Sequence, residues 1–318
     1  MSNKKILLSG VKPTGRPHLG NYFGAMKQFI DLQDEYDCRF MIADYHALNF
    51  IQDREEMREN IFELFLDYLA IGLDPEKSII FKQSDVSAHT ELAWIFETLT
   101  TMPYLMRAHA FKDAEAKNKD IVVGTFNYPM LMASDILLYD ADVVPVGSDQ
   151  KQHVEITRDT AEKFNRVFVT ETFKLPNSLI LDNVATVPGT DGQKMSKSYG
   201  NTIGLFATDE EIKKAVMGIV TDSSGERPEN VYAIHALLKD SKELDAIYEE
   251  KKGKYKELKE ALAEDIIKFV TPMREKREAL KQDREKVLKL IKAGGERARE
   301  IADKKMSEVK DNIGLNIE

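Results

Sequence analysis

Short apolar runs alternate with amphipathic stretches of helical length over the first 150 residues, and this alternation constrains the fold more than any other feature. The runs occupy residues 5–10, 38–43, 78–83 and 143–146. Beside them, residues 21–32, 53–71, 90–101 and 128–139 have the spacing of helices that bury one face. Strands that alternate with helices in this way form βαβ units. The pattern predicts a parallel sheet with ligands at the carboxyl ends of its strands.

The pattern changes after residue 201, where strand-like runs disappear. Charged residues alternate with Leu, Ile and Val at helical spacing from residue 208 onward, which predicts a helical region of about five helices. Thr271-Pro272 has the sequence of a helix start, with Thr271 as N-cap and Pro272 at the first helical position. Gly294-Gly295 is predicted to end one helix before the next begins.

Composition excludes several classes of protein. The chain has 318 residues, of which 42% are hydrophobic and 31% charged, and no run approaches the roughly 18 apolar residues of a membrane span. The single cysteine, Cys38, lies in an apolar run, so it is expected to be buried and the chain cannot form an internal disulfide. The single tryptophan, Trp94, is expected in the core for the same reason. Lys4-Lys5 leads directly into a strand without a signal-peptide apolar region, and we expect a cytoplasmic protein.

The distribution of charge is uneven. The net charge of −9 disfavours a protein that coats nucleic acid indiscriminately. Residues 271–310, however, contain 13 Lys or Arg against 8 Asp or Glu, a local excess of positive charge. This segment is either a solvated helical face or a basic surface for nucleic acid.

A glycine-led loop at residues 192–198, Gly-Gln-Lys-Met-Ser-Lys-Ser, carries two lysines, Lys194 and Lys197. A serine follows each lysine, two positions after the first and directly after the second. Lysine is a compact, flexible point charge that suits phosphate, and serine hydroxyls add donors that rotate. The loop therefore indicates polyphosphate binding, against the alternative of a solvated surface loop. Gly189 and Gly192 are expected hinges on which it closes over a nucleotide.

A second phosphate-type turn precedes the first predicted helix. Residues 11–17 lead into His18-Leu19-Gly20-Asn21, where a helix start offers free N–H groups and the positive end of its dipole to an anion. Gly20 permits close approach, and His18 can hydrogen-bond a phosphate oxygen. The P-loop and the Gly-x-Gly-x-x-Gly fingerprint are both absent from the sequence, so kinase and dehydrogenase functions lose support.

Both segments resemble known signatures. His18-Leu19-Gly20-Asn21 and Lys194-Met195-Ser196-Lys197-Ser198 are similar to the two nucleotide-binding motifs of class I aminoacyl-tRNA synthetases, and the second matches residue for residue. Residues 132–139 and 144–153 resemble segments of the tryptophanyl-tRNA synthetases, with weaker similarity at residues 220–223. The resemblance implies an α/β fold, with a Rossmann-like parallel-sheet catalytic domain at residues 1–204 and a C-terminal all-helical, anticodon-binding domain at residues 205–318.

The resemblance also implies a reaction. ATP and L-tryptophan would form tryptophanyl-adenylate and pyrophosphate, and the aminoacyl group would then pass to the terminal adenosine of tRNA(Trp). The family is homodimeric and uses Mg²⁺ with ATP, although no carboxylate cluster in this sequence demands a metal site. No protein nucleophile is required, because catalysis can come from positioning and from cations that neutralise the pyrophosphate. The implied catalytic residues are Lys194, Lys197 and His18.

The residues implied to bind ATP come from the two signatures and from the segments that follow strands. They are Lys12, Pro13, Thr14, Gly20, Asn21, Gly147, Ser148, Asp149, Val187, Lys194, Met195, Ser196, Lys197 and Ser198. Lys12 stands where many members of the family have Gln, which adds a positive charge near the carboxylate or the phosphate.

Tryptophan selection requires an acceptor inside an apolar slot, because the indole N–H is only a donor. The resemblance assigns this role to Asp135, whose alternative is an ordinary buried carboxylate. It places His46 near the indole, where the alternative is a core histidine. The other implied contacts are Tyr128 and Gln150 at the α-amino group and Met132, Val144 and Val146 in the walls.

Three other functions remain open on the sequence. A tyrosyl-tRNA synthetase would share the fold and both signatures but would hold a phenol. A catalytically inactive RNA-binding relative would have no need of Lys194, Lys197 and Asp135. A nucleotidyltransferase without an RNA partner would have no use for the helical region.

Overall fold

A five-stranded sheet lies at the centre of the computed structural model, which describes residues 4–108, 111–112, 115, 121–147, 151–180, 187–221 and 227–317. All its strand pairs are parallel, and the strand order is β3-β2-β1-β4-β5. The predicted parallel sheet is confirmed. The strands are β1 (Ile6–Val11), β2 (Asp37–Ile42), β3 (Ile79–Lys82), β4 (Val143–Val146) and β5 (Asn177–Ile180).

The sheet changes winding direction between β1 and β4. β1 pairs with β2 along six positions, from Ile6 opposite Asp37 to Val11 opposite Ile42. With β4, β1 pairs in register only at Leu7 opposite Val143. The two strands therefore leave a crevice beyond this pair, at the carboxyl ends where an open α/β sheet binds its ligands.

Eight α-helices of the described residues accompany the sheet. They are α1 (Leu19–Asn21), α2 (Lys27–Glu35), α3 (Asp44–Ala47), α4 (Arg54–Ile71), α5 (Ala88–Leu99), α6 (Met102–Leu105), α7 (Val123–Leu137) and α8 (Lys151–Val167). A π-helical turn, Tyr22–Met26, joins α1 to α2. α4 begins and ends where its sequence predicts, because Asp53 caps the N–H of Glu56 and Gly72 adopts a left-handed conformation at φ 119°.

Strand side chains alternate between two cores. Leu7, Phe40 and Ile42 enter one core, which also contains Leu262 and Ile266 of the C-terminal helices. The other core contains Leu8, Met41 and Phe81 from the strands, together with Ala298 and Met306. The C-terminal helices thus close both faces of the sheet.

Five helices follow residue 205 within the described ranges, which confirms the predicted number. They are α9 (Asp209–Met217), α10 (Glu229–His235), α11 (Ser241–Glu250), α12 (Tyr255–Gln282) and α13 (Arg284–Asn312). None of the helices in the described part of the chain is both long enough and apolar enough to cross a membrane.

Two predicted helix boundaries are wrong. Thr271 and Pro272 lie inside α12, where the Thr271 hydroxyl donates to the carbonyl of Ile267 at 2.7 Å and the proline removes only one backbone donor. Gly294 and Gly295 lie inside α13 instead of ending it. A Cβ at Gly294 would stand only 1.8 Å from the carbonyl oxygen of Ile80, so glycine here permits α13 to pack directly on β3.

Much of the basic segment 271–310 is used inside the protein. Arg297 donates to the carbonyl of Pro75 at 2.8 Å, and Arg299 donates to the carbonyl of Asp85 at 2.6 Å. Lys305 pairs with Asp140 at 3.0 Å. These contacts fasten α13 to the sheet, so the excess of positive charge in this segment is not wholly available to a nucleic acid.

A buried ion cluster joins α12 to α4. Arg277 is 1% exposed, donates to Asp67 at 2.6 Å and also pairs with Glu63. Lys281 and Arg16 approach the same Glu63 carboxylate at 3.0 and 3.2 Å. Removing one partner of such a buried pair commonly costs about 3–5 kcal/mol, because the other charge is left uncompensated. The cluster therefore holds the helical region in a defined position against the sheet.

Candidate active site

An apolar cavity of about 180 Å³ opens at the switch point between β1 and β4. Its walls come from β1, the end of β2, β4 and one face of α7, with a few polar groups among them, as in most small-molecule sites. The lining residues are Leu8, Gly10, Lys12, Met41, Ala43, His46, Tyr128, Met132, Asp135, Ile136 and Val144.

Asp135 of α7 is the carboxylate of this cavity and is only 2% exposed. Oδ1 accepts a hydrogen bond from Nε2 of Gln83 at 2.7 Å and contacts Nδ1 of His89 at 2.6 Å. Oδ2 lies 2.8 Å from Nε2 of His46. His89, which is fully buried, reaches the hydroxyl of Tyr139 with its other nitrogen at 2.9 Å. The carboxylate is therefore oriented by groups from three different elements.

The charge of Asp135 survives its burial. Burial by itself would raise the pKa of this carboxyl, but the hydrogen bonds and charges of His46 and His89 outweigh it and lower the pKa to about 2. At neutral pH the group is an anion that only accepts hydrogen bonds. It is suited to a ligand that presents an N–H at the end of an apolar slot.

The other residues expected around tryptophan are partly brought together. Tyr128, Met132, Val144 and His46 line the cavity. Val146 does not appear among the described residues of the wall and is buried in the neighbouring core instead. Gln150 lies outside the described residues, as do Ser148 and Asp149 of the expected ATP site.

Tyr128 is prepared as a neutral polar group on the wall. Its hydroxyl lies 3.1 Å from Nε2 of His153, and burial raises its pKa to about 12. The phenol therefore stays protonated at neutral pH and can both donate and accept a hydrogen bond.

Lys12 brings a cation into the same cavity. Its Nζ stands over the ring of Phe50, 4.6 Å from the centroid, and burial lowers its pKa from the ordinary lysine value. Among the described residues no carboxylate forms a salt bridge with this ammonium group. The Lys12 side chain as a whole is exposed, but an unpaired cation in the wall of a cavity favours an anionic ligand.

The turn at residues 11–17 ends in a capped helix start at His18. His18 Nδ1 accepts the N–H of Asn21 at 3.3 Å, and the Asn21 side chain accepts the N–H of His18 at 3.1 Å. Burial, and then the charge of Lys197, lower the pKa of His18 to about 4. A neutral imidazole that accepts at Nδ1 carries its proton on Nε2. His18 is thereby a donor suited to a phosphate oxygen.

The second signature docks onto this helix start. The N–H of Gly20 donates to the sulfur of Met195 at 3.3 Å, and the N–H of Met195 donates to the carbonyl of Val187 at 2.9 Å. Lys197 Nζ donates to the carbonyl of Thr14 at 2.9 Å. Segments about 170 residues apart in the sequence thus form one site, as the resemblance implies.

The other residues expected to bind ATP fall into two groups, those with buried side chains and those at or near the surface. Val187 and Met195 are 3% and 4% exposed and form the base on which the loop rests, and Pro13 is buried as well. The residues at or near the surface, where a nucleotide can reach them, are Thr14, Gly20, Asn21, Gly147, Lys194, Ser196, Lys197 and Ser198.

Sequence reasoning missed the residues behind Asp135. Gln83 carried a signal, since it is a polar residue at the carboxyl end of a buried strand, where ligands gather. His89 and Tyr139 carried none, because a histidine and a tyrosine in apolar helical stretches are indistinguishable from ordinary core residues. Their contact depends on α5 packing against α7.

The cap at His18 predicts a dependence of stability on pH. The folded protein keeps His18 neutral down to about pH 4, whereas the unfolded chain takes up a proton below about pH 6.5, so stability is lost as the pH falls through this window. H18N keeps an N-cap acceptor but binds no proton. We expect the free energy of unfolding, measured with urea at pH 7 and pH 5, to fall less in this variant than in the parent. Equal falls would contradict the assignment.

Comparison with known proteins identifies the family. The family model of class I tRNA synthetases (W and Y) matches residues 2–288. A tryptophan–tRNA ligase of Fusobacterium nucleatum is 49% identical over 319 residues, with 98% of each chain covered. One of Rhodopirellula baltica is 46% identical over 318 residues, which cover 97% of this chain and 99% of the other.

A solved structure agrees with the sequence comparisons. The tryptophanyl-tRNA synthetase of Campylobacter jejuni, complexed with ADP and tryptophan, superposes with a TM-score of 0.91 at 39% identity and covers 97% of this chain and 99% of its own. With both signatures assembled around the crevice of a parallel sheet and a family model that spans most of the sequence, the chain belongs to the class I tRNA synthetases of the tryptophan and tyrosine family.

Proposed function

We propose that this protein is a tryptophan–tRNA ligase, which activates L-tryptophan with ATP and transfers it to the 3′ end of tRNA(Trp). The observation that carries the proposal is the ionised, buried Asp135 at the end of an apolar cavity beside the ATP loops. Its carboxylate accepts the indole N–H, and the apolar walls receive the ring. Near-full-length relatives named tryptophan–tRNA ligase, at 49% and 46% identity, support the assignment.

Adenylate formation needs positioning and charge in place of a protein nucleophile. The tryptophan carboxylate attacks the α-phosphate of ATP, the bond from that phosphorus to the bridging oxygen breaks, and pyrophosphate leaves. Lys194 and Lys197 neutralise the negative charge that grows on pyrophosphate, and Nε2–H of His18 donates to a phosphate oxygen. Removing one such contact commonly costs about 10² to 10³ in rate.

We propose that magnesium binds together with ATP, the co-substrate. Within the described ranges no group of three His, Cys, Asp or Glu side chains is arranged to hold a metal ion, so the residues present do not form a dedicated magnesium site. Magnesium binds reluctantly to all-protein cages and is commonly held by nucleotide phosphates. On the protein side, the charge that acts on those phosphates comes from the two lysines.

Transfer to tRNA gives the helical region a role. We assign residues 205–318 to anticodon binding, with the qualification that α13 also packs on the sheet. The exposed cations Lys276, Lys286 and Lys289 on α12 and α13 are placed to contact the phosphate backbone. Aminoacylation of tRNA(Trp) transcripts with altered anticodons measures this role.

A cytoplasmic location is the one that suits a function in translation, and cell fractionation tests it.

The amino-acid dependence of ATP–pyrophosphate exchange tests the proposed function. We expect exchange with tryptophan and a rate lower by about 10⁴ with phenylalanine, which leaves the Asp135 acceptor unpaired. D135N preserves side-chain volume but removes the charge, and it should lower kcat/KM for tryptophan by about 10- to 100-fold while calorimetry finds ATP binding unchanged. Exchange driven by tyrosine in preference to tryptophan would sink the proposal, and parallel loss of ATP binding would sink the role of Asp135.

The finer role of Lys12 is to bind the carboxylate of tryptophan next to the α-phosphate. This assignment rests on the position of its ammonium group in the amino-acid cavity. We expect K12Q to weaken tryptophan binding by about 10- to 100-fold, as for a hydrogen bond between charged groups, and to leave tryptamine, which has no carboxylate, unaffected. D135N is the matched control, because it should weaken both ligands. Calorimetry that finds equal losses of tryptophan and tryptamine affinity in K12Q would refute the assignment.

We propose that the protein is a homodimer and that exposed apolar side chains on α5, α6 and α7 form its interface. Trp94, expected in the core, is instead 68% exposed, and Met102 and Val123 are 66% and 72% exposed. α7 packs against both α5 and α6, so the three side chains come from adjoining elements. Large exposed apolar side chains on neighbouring helices are typical of a site of association.

Sedimentation velocity tests the dimer. The parent should sediment at about twice the 36.2 kDa of one chain, and V123E should shift it towards the monomer. V169E is the control, since Val169 is 92% exposed but follows α8, outside the three helices. A monomeric parent, or equal effects of the two changes, would count against this interface.

A further inference from the structure

Asn201 follows the 192–198 loop, and both polar atoms of its side chain form hydrogen bonds with residues between 191 and 196. It is 2% exposed. Its Oδ1 accepts the N–H of Ser196 at 2.8 Å, and its Nδ2 donates to Oδ1 of Asp191 at 2.7 Å and to the carbonyl of Lys194 at 3.2 Å. Its own carbonyl accepts the N–H of Thr190 at 2.9 Å. A single residue therefore connects the beginning of the loop with its centre.

The requirements of this position select an amide. One planar group must present an acceptor to Ser196 and two donors to Asp191 and Lys194, which only Asn or Gln can do. The space available favours the shorter Asn over Gln, and it also requires glycine at position 189. A Cβ on Gly189 would stand 2.3 Å from Nδ2 of Asn201, so the absence of a side chain at Gly189 admits the amide.

The bonds of Asn201 fall on both sides of the residue that docks the loop. Met195 holds the loop to Gly20 and Val187, while Asn201 fixes the carbonyl of Lys194 and the N–H of Ser196, immediately before and after it. These bonds fix the backbone at Lys194 and at Ser196, the residue before Lys197. Since misplacing a reacting group by about 1 Å can cost about 10² in rate, a loop whose lysines must meet a triphosphate needs such a constraint.

We propose that Asn201 is a positioning residue for adenylate formation, which sets the conformation of the 192–198 loop and thereby places Lys194 and Lys197 on ATP. The inference rests on the proposed function for its chemistry, but its contacts are independent of the amino acid that is activated. Asn201 touches no substrate; it acts through the two lysines. Its partner Asp191 makes a second bond, from the N–H of Gln193 at 3.0 Å, and so completes the turn that starts the loop.

An exchange of the two side chains separates this role from a general requirement for folding. In N201D the carboxylate still accepts from Ser196, but its second oxygen now faces the Asp191 carboxylate and the Lys194 carbonyl, so two attractive contacts become repulsive. In the double variant D191N/N201D, the amide nitrogen of residue 191 takes the place of the oxygen that Asn201 faces in the parent and donates to the carboxylate of residue 201. That same oxygen accepts the N–H of Gln193 in the parent, so the double variant restores one bond and loses the other. The hydrogen bond returns with its donor and acceptor interchanged.

We expect N201D to lower kcat for tryptophan-dependent ATP–pyrophosphate exchange by about 10²-fold and to leave the tryptophan dissociation constant unchanged. The double variant should recover about tenfold of that loss, as restored pairing between contacting residues predicts. D191N alone, in which an amide oxygen can replace the carboxylate oxygen as acceptor, should change the rate less than about threefold. Recovery in the double variant is a result that a merely destabilising substitution would not give.

Each of the following kinetic or tryptophan-binding results would overturn the proposal: an unchanged kcat in N201D, a double variant as slow as N201D, or tryptophan affinity that falls in step with kcat. Calorimetry of ATP binding by the same variants provides a readout that involves no amino acid, and its order should be parent, then double variant, then N201D. A parent without tryptophan-dependent exchange would refute the proposed function, whereas an ATP affinity equal in all variants would refute the role of Asn201.

Discussion

A carboxylate buried at the floor of the cavity is the interaction on which the geometry of this site depends. An ionised group out of contact with water is tolerated only when donors surround it, and Asp135 obtains them from α3, from the turn after β3 and from α5. These elements must therefore meet at one point. The ionised Asp135 therefore depends on how these helices pack. His89 and Gln83 support its carboxylate although neither residue lines the cavity.

A second group of buried charges fixes the helical region. Arg277 reaches from α12 to Glu63 and Asp67 on α4. Arg16, in the turn at residues 11–17, approaches the same Glu63. The turn before His18, where we propose that ATP binds, and α12 of the helical region thus share one carboxylate. Glu63 therefore connects α12 directly with a residue two positions before His18.

Some features of the fold and of the candidate site could be predicted from the sequence, and others could not. Four of the five strands could be predicted from local pattern, and the two signatures from their residue types. The cavity residues His46, Tyr128, Met132 and Asp135 were indicated by the resemblance to a known family. β5 was not predicted, since it is a short strand at the edge of the sheet with exposed ends. Pro272 and Gly294 were misread as helix boundaries because their local preference yields to packing: α12 continues past its proline, and α13 needs a glycine against β3.

By itself, the sequence determined the class of fold, since this depends on periodicity. The residue types of the two loops indicated phosphate chemistry, and the resemblance to a known family, not the spacing, pointed to Asp135 as the carboxylate in the slot. Only the tertiary structure decided that Val146 leaves the wall, that Trp94 reaches the surface, that much of the basic segment serves to dock α13, and that Asn201 organises the loop. Each of these depends on contacts between segments or on the path of a turn. A single sequence does not specify which distant surfaces a side chain will meet.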